Sequence, residues 1–164
     1  MKRIFCLLML FLSLSAVVCA CDPTRQDGEE TTTGSLYGTW QLDTLTIEAS
    51  ASVIGSGSLN TSVIDFTKTT PCYLSITEVM ATARMGWDVE MATFVYDATK
   101  MKIKFNDDLS VSDDGKAMVL VGSYDITELT PARLVLRQPD FNIDIPGLFS
   151  SHQTAVYSYH RVVE

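Results

Sequence analysis

Side chains able to do chemistry are few in this 164-residue chain, and their spacing narrows what they can do. The two histidines, His152 and His160, have no cysteine or carboxylate at ligand spacing beside them, so no metal site is expected there. Asp107-Asp108, Ser110, Ser112 and Asp113-Asp114 invite comparison with a calcium loop. The run lacks both the glycine six positions in and the closing glutamate that such loops need. Asp113-Asp114-Gly115-Lys116 reads instead as a hairpin turn, with Gly115 where φ must be positive. Glu78 with Asp88 or Glu90 would make a carboxylate pair, but nothing in the spacing brings them together. Gly-x-Ser-x-Gly, a phosphate-cradling glycine loop and His-Glu-x-x-His are all absent, and Gly55-Ser-Gly-Ser58 is loop composition only. Neither catalysis nor a cofactor is expected.

Four cysteines remain to be placed: Cys6, Cys19, Cys21 and Cys72. Met1-Lys2-Arg3 is a short positive start, and Ile4 to Ala20 is uncharged and rich in Leu, Phe, Ile and Val. That is the build of a secretory signal, although its length also approaches what a retained membrane helix needs. The run ends in Val18-Cys19-Ala20-Cys21, which resembles the bacterial lipobox: an aliphatic residue, a tolerant position, a small residue, and the cysteine that receives lipid. The resemblance implies cleavage before Cys21, acylation of Cys21, and a membrane as first partner, at the periplasmic or surface face of an outer membrane. Several acyl chains on one cysteine anchor stably, each buried CH₂ contributing ~0.8 kcal/mol. An uncleaved anchor and ordinary cleavage are the alternatives. Asp22 to Ser35 carries no aromatic or aliphatic side chain and reads as a flexible acidic tether. It also resembles the surface-export signals of lipoproteins from Gram-negative gut anaerobes.

Removing the first 20 of 164 residues leaves 144, with ten basic against twenty acidic side chains. An acidic domain repels nucleic acid, so no nucleic-acid partner is expected. Of the cysteines, Cys72 alone then stays in the folded part as a thiol, which excludes an intramolecular disulfide there. Packing as a small apolar residue is the expectation for it.

Apolar residues beyond the tether recur mostly with period two, the mark of strands with one buried face. Residues 36–48, 62–67, 72–76, 101–105, 116–127, 133–138 and 155–163 read as strands, and Gly122 reads as a bend or bulge within 116–127. Val89, Met91, Phe94 and Tyr96 mark another. Residues 49–58, 106–115 and 139–151 read as loops. Ile76, Val79, Met80 and Ala83 fit helical spacing, so 78–85 is open between one short helix and a strand. One all-β domain over 36–164, a small antiparallel barrel of about eight strands, accommodates the pattern.

Leu36-Tyr-Gly38-Thr-Trp40 resembles the Gly-x-Trp motif of the lipocalins and wider calycin barrels, where the chain enters the first strand. Tyr124-Asp-Ile-Thr-Glu-Leu…Leu134-Val-Leu136 is similar to the late hairpin of lipocalin-like lipoproteins from Gram-negative gut anaerobes. The resemblance implies that Gly38, Trp40 and Arg161 close one end of the barrel, with Arg161 over the tryptophan. The usual Thr-Asp-Tyr motif and long C-terminal helix are absent, which puts a deep pocket in doubt. Two readings of function follow. In one, the barrel holds a small apolar or amphipathic ligand against Met91, Phe94, Met101, Ile103, Phe105 and Tyr124. In the other, segments 49–60 and 139–151 contact a protein, as a binding module or enzyme inhibitor, with 139–151 unusually apolar for a solvated loop.

Overall fold

A computed structural model describes residues 34–53, 56–139, 141–145 and 149–163, without the side chains of 52–56 and 141–149. The signal segment, Cys21 and the tether before Gly34 lie outside the described residues. Every element described is a strand: β1 (Gly38–Val53), β2 (Ser56–Asp65), β3 (Cys72–Ile76), β4 (Ala81–Met85), β5 (Asp88–Ala92), β6 (Phe94–Asp97), β7 (Lys102–Phe105), β8 (Leu109–Asp113), β9 (Lys116–Leu120), β10 (Ser123–Leu129), β11 (Arg133–Arg137), β12 (Phe141–Ile145) and β13 (Phe149–Arg161).

The main sheet runs β5-β4-β3-β1-β13-β11-β10-β7-β6, every pair antiparallel, and curls into a nearly closed barrel. First and last strands are neighbours, with Trp40 opposite Arg161 at one end and Val53 opposite Phe149 at the other. Both strands change their second partner midway. β1 pairs β3 over Gly38–Gln41 and then β2 over Thr44–Val53. β13 pairs β11 over Val156–His160 and β12 over Phe149–Gln153. A four-stranded sheet, β2-β1-β13-β12, therefore extends the barrel wall. Gly57 to Val63 is exposed on both alternating faces, so none of the described residues covers this extension on either side at β2.

The small sheet β8-β9 supplies what the barrel wall lacks. Asp114 and Gly115 both have positive φ, which makes the tight two-residue hairpin turn whose twist suits antiparallel strands. Period-two alternation then puts Leu109, Val111, Met118 and Leu120 on one face, and all four are fully buried. That face packs against the inward side of the main sheet, touching β4 and β5. The Ser112 amide donates to Asp88 Oδ2 at 2.8 Å, and Lys116 donates to the Asp65 carbonyl and stands over the Phe66 ring at 5.4 Å. Gly122, at φ +74°, turns the chain from this hairpin into β10, where the Phe105 amide donates to its carbonyl.

Several expected elements are corrected. Residues 49–53 and 56–58 are strand rather than loop: their Ser, Ala and Gly composition suggests a loop, but both flanks are recruited into long ladders, β1 with β13 and with β2. Residues 139–151 likewise contain β12 rather than only loop. Leu109 and Val111 turn the supposed polar turn 106–115 into strand β8, and the single strand 116–127 is two strands in different sheets. Residues 78–85 form a turn and β4, with no helix among the described residues: Thr77 Oγ1 both donates to and accepts from the Met80 backbone, and Ala81, Ala83 and Met85 point inward. Residues 89–96 are two strands broken at Thr93.

Candidate functional site

At the end where β1 begins, Trp40 is fully buried and its indole Nε1 donates to the Leu36 carbonyl at 2.9 Å. The structure places Arg161 Cζ 4.1 Å from the centre of that ring. The guanidinium also donates to the carbonyls of Pro131 at 2.8 Å, Tyr37 at 3.0 Å and Ser35. Gly38 leaves room for this: at φ +139° a Cβ there would lie 2.3 Å from Arg161 Nη1. Gly38, Trp40 and Arg161 are thus brought together into one clamp on the chain entering the barrel. It binds backbone carbonyls, and its chemistry is structural.

Inside the barrel, aromatic and sulfur-bearing side chains meet. Cys72 Sγ donates to Met118 Sδ at 3.6 Å, and the Tyr159 hydroxyl donates to the same sulfur at 3.3 Å. The Tyr157 hydroxyl donates to the Val119 carbonyl at 2.5 Å, and the Val121 amide donates to the Tyr124 hydroxyl at 3.0 Å. Tyr124 packs edge-on against both Phe105 and Tyr157, at 5.9 and 5.8 Å between ring centres. Burial pushes the Cys72 thiol up to about 12 and raises the hydroxyls of Tyr124, Tyr157 and Tyr159. At neutral pH all four are uncharged hydrogen-bonding groups, so Cys72 presents no thiolate.

The residues expected to line a ligand chamber do not do so together. Ile103, Phe105 and Tyr124 are inside but buried to 2 % exposure or less, as are Trp40, Tyr159, Met85 and Met118. A side chain with no surface open to a water-sized neighbour cannot line a space that holds a ligand. Phe94 and Met101 are half-buried at the core's margin. Met91 points outward at 60 % exposure, because the inward position of β5 beside it belongs to Ala92. The β8-β9 hairpin brings its own side chains into the interior and takes the room that larger ones on β5 would need.

The outer wall carries the polar features that sequence spacing did not reveal. His160 Nδ1 lies 2.7 Å from Asp43 Oδ1, the carboxylate being presented where the β1 register shifts between Leu42 and Thr44. The two are 117 positions apart, so no local spacing could have paired them. On the extension, two adjoining grooves of about 200 and 400 Å³ share Ser50, Leu59 and His152. Glu48, Arg137 and Thr154 line the smaller one. Leu59 and Val63 stand 73 % and 62 % exposed on β2. Among the described residues, no three His, Cys, Asp or Glu side chains gather as a metal site would need.

What this geometry defines is a class: an all-antiparallel, nearly closed β-barrel with a small hairpin sheet against its inward side. No family model matches the chain, and no curated protein or solved structure matches it either.

Proposed function

We propose that this chain is a non-catalytic binding module, held to the outer membrane through lipid on Cys21, which engages a protein partner by the β2-β1-β13-β12 extension. The observation that carries this reading is the β8-β9 hairpin. Leu109, Val111, Met118 and Leu120 are fully buried against the main sheet and take up room inside the barrel, which supports recognition by its outside. The extension is formed by the two segments whose sequence suggested contact loops, and it offers exposed Leu59 and Val63 beside a groove containing His152. Exposed apolar side chains next to polar groups are the usual make-up of a contact surface. The clamp of Gly38, Trp40 and Arg161 supports kinship with lipocalin-like lipoproteins, but as a shared way of closing a barrel end rather than as a ligand site.

Two measurements test the reading. A photo-crosslinking residue at Leu59, introduced in the native host, is expected to trap one protein, and the same residue at Val95 on β6 is not. Native mass spectrometry of the full chain purified from that host reads the competing carrier function. A retained small apolar molecule, with no adduct at Leu59, overturns the proposal. For the anchor, Cys21→Ala is expected to release the protein from membranes; continued membrane partition with unchanged processing overturns that part alone.

A further inference from the structure

Elsewhere on the wall, the outward side chains of β1, β3, β4 and β5 form a face of a different character. Register and burial place Thr39 and Gln41, Tyr73 and Ser75, Thr82 and Arg84, and Val89 and Met91 side by side on it. None is a carboxylate, although the chain carries twenty acidic side chains against twelve basic ones. Within this face lies a groove of about 420 Å³ lined by Thr39, Tyr73, Ser75, Thr82, Arg84 and Val162. Thr39 Oγ1 and Ser75 Oγ are 3.2 Å apart across its floor. Arg84 Cζ stands 5.1 Å from the Tyr73 ring centre, and no carboxylate pairs with it among the described residues.

We propose that this groove binds a small carboxylate that also carries hydroxyl groups, the chemistry of a hexuronic acid. A guanidinium resting on an aromatic face keeps its N–H edge free, and that planar edge matches a carboxylate with two parallel hydrogen bonds. Among the described residues Arg84 is the one basic side chain lining the groove, and a single cation suits a monoanion better than a phosphate dianion. Hydroxyl groups on three successive strands, about 4.8 Å apart from strand to strand, both donate and accept, as sugar hydroxyls do. Val162 gives the ring carbons one apolar wall, and the volume lies within the roughly 300–1,000 Å³ range of small-ligand sites. The site lies on the barrel wall, away from the extension assigned to a protein partner, and neither assignment depends on the other.

The test is a titration of the full chain, purified in mild detergent, followed by the amide spectra of ¹⁵N-labelled protein. D-glucuronate is expected to shift the amides of Thr39, Ser75, Thr82 and Arg84, and D-glucose is not. Arg84→Ala is expected to raise the glucuronate Kd at least tenfold, and Arg84→Lys to restore only part of it. Both changes lie on an exposed position, so unchanged spectra elsewhere verify the fold. A comparison of tetragalacturonate with D-galacturonate separates the two sources of this chemistry: tighter binding of the tetramer assigns a polysaccharide, and equal binding assigns a free sugar acid. Equal responses to glucose and glucuronate, or an Arg84→Ala Kd unchanged, overturn the proposal.

Discussion

Arg161 holds Trp40 from outside: its guanidinium carbon is 4.1 Å from the ring centre while its nitrogens take the carbonyls of Ser35, Tyr37 and Pro131. One side chain therefore ties together the chain entering the barrel, the β10–β11 turn and the last strand. Arg161→Ala is expected to destabilise the fold by about 2–3 kcal/mol, from the lost cation–π contact and lost charged hydrogen bonds. Arg161→Lys should recover less than half of that, since an ammonium cannot reach three carbonyls as a fork does. Urea unfolding followed by Trp40 fluorescence, in a Trp87→Phe background, gives both values. A loss below ~0.5 kcal/mol for the alanine variant would show that the clamp contributes nothing beyond exposed pairing.

Met118 is the point where the hairpin joins the barrel, its sulfur accepting from both Cys72 and Tyr159. Met118→Ala should cost about 2–5 kcal/mol through the cavity left and the two donors left unpartnered. Met118→Leu keeps the volume and should cost under ~1.5 kcal/mol plus the sulfur contacts. Equal losses for the two variants would mean that the interior around β9 is loosely packed.

Cys72 should be chemically silent in the folded protein. Its thiol is fully buried and pushed up to about 12, so thiolate is scarce at neutral pH and no reagent reaches it. Peptide mapping after iodoacetamide treatment is expected to show Cys72 unmodified in the native state and fully alkylated in denaturant. Alkylation without unfolding would place the thiol at an accessible surface instead.

The pH dependence of stability should be steepest at the alkaline end. Burial raises the hydroxyls of Tyr124, Tyr157 and Tyr159 above the ordinary phenol value near 10. The folded state thus holds protons that the unfolded state releases, so their contribution is complete below about pH 10 and is lost progressively above it. Absorbance at 295 nm is expected to rise in two stages, with the buried tyrosines ionising only as the fold is lost. At the acid end, hydrogen bonds from Thr99 and Lys100 hold the Asp97 carboxyl down to about 2. Its contribution is present above the ordinary carboxylate range and disappears as pH falls from about 4 through about 2. One alkaline stage near pH 10, with all six tyrosines ionising together, would contradict the packed interior.

Strand alternation around Leu42, Leu74, Ile103 and Leu134 was legible in the sequence because one face of each strand meets the core and the other meets water. Gly38, Trp40 and Arg161 stood out through a short motif resemblance, and their contact comes from the β1–β13 register. Residues 49–58 were not legible, because Ser, Ala and Gly favour loops locally while the ladder that straightens them comes from β13, far along the chain. Met91 faces outward for a related reason: β5 buries only Ala92, since the hairpin, and not β5, fills the space beneath. The Asp43–His160 pair and the Arg84–Tyr73 groove arise from strand register, which no local spacing encodes.

The pairing of the first strand with the last has a consequence for when this protein can fold. β1 finds its longest ladder, from Trp40–Arg161 to Val53–Phe149, in the final residues of the chain. A nascent chain that stops short of Phe149 leaves β1 bare along one edge and the barrel open. Contacts that span nearly the whole sequence form late and slowly. The polypeptide thus stays an unfinished sheet until β13 has been made and can close against β1.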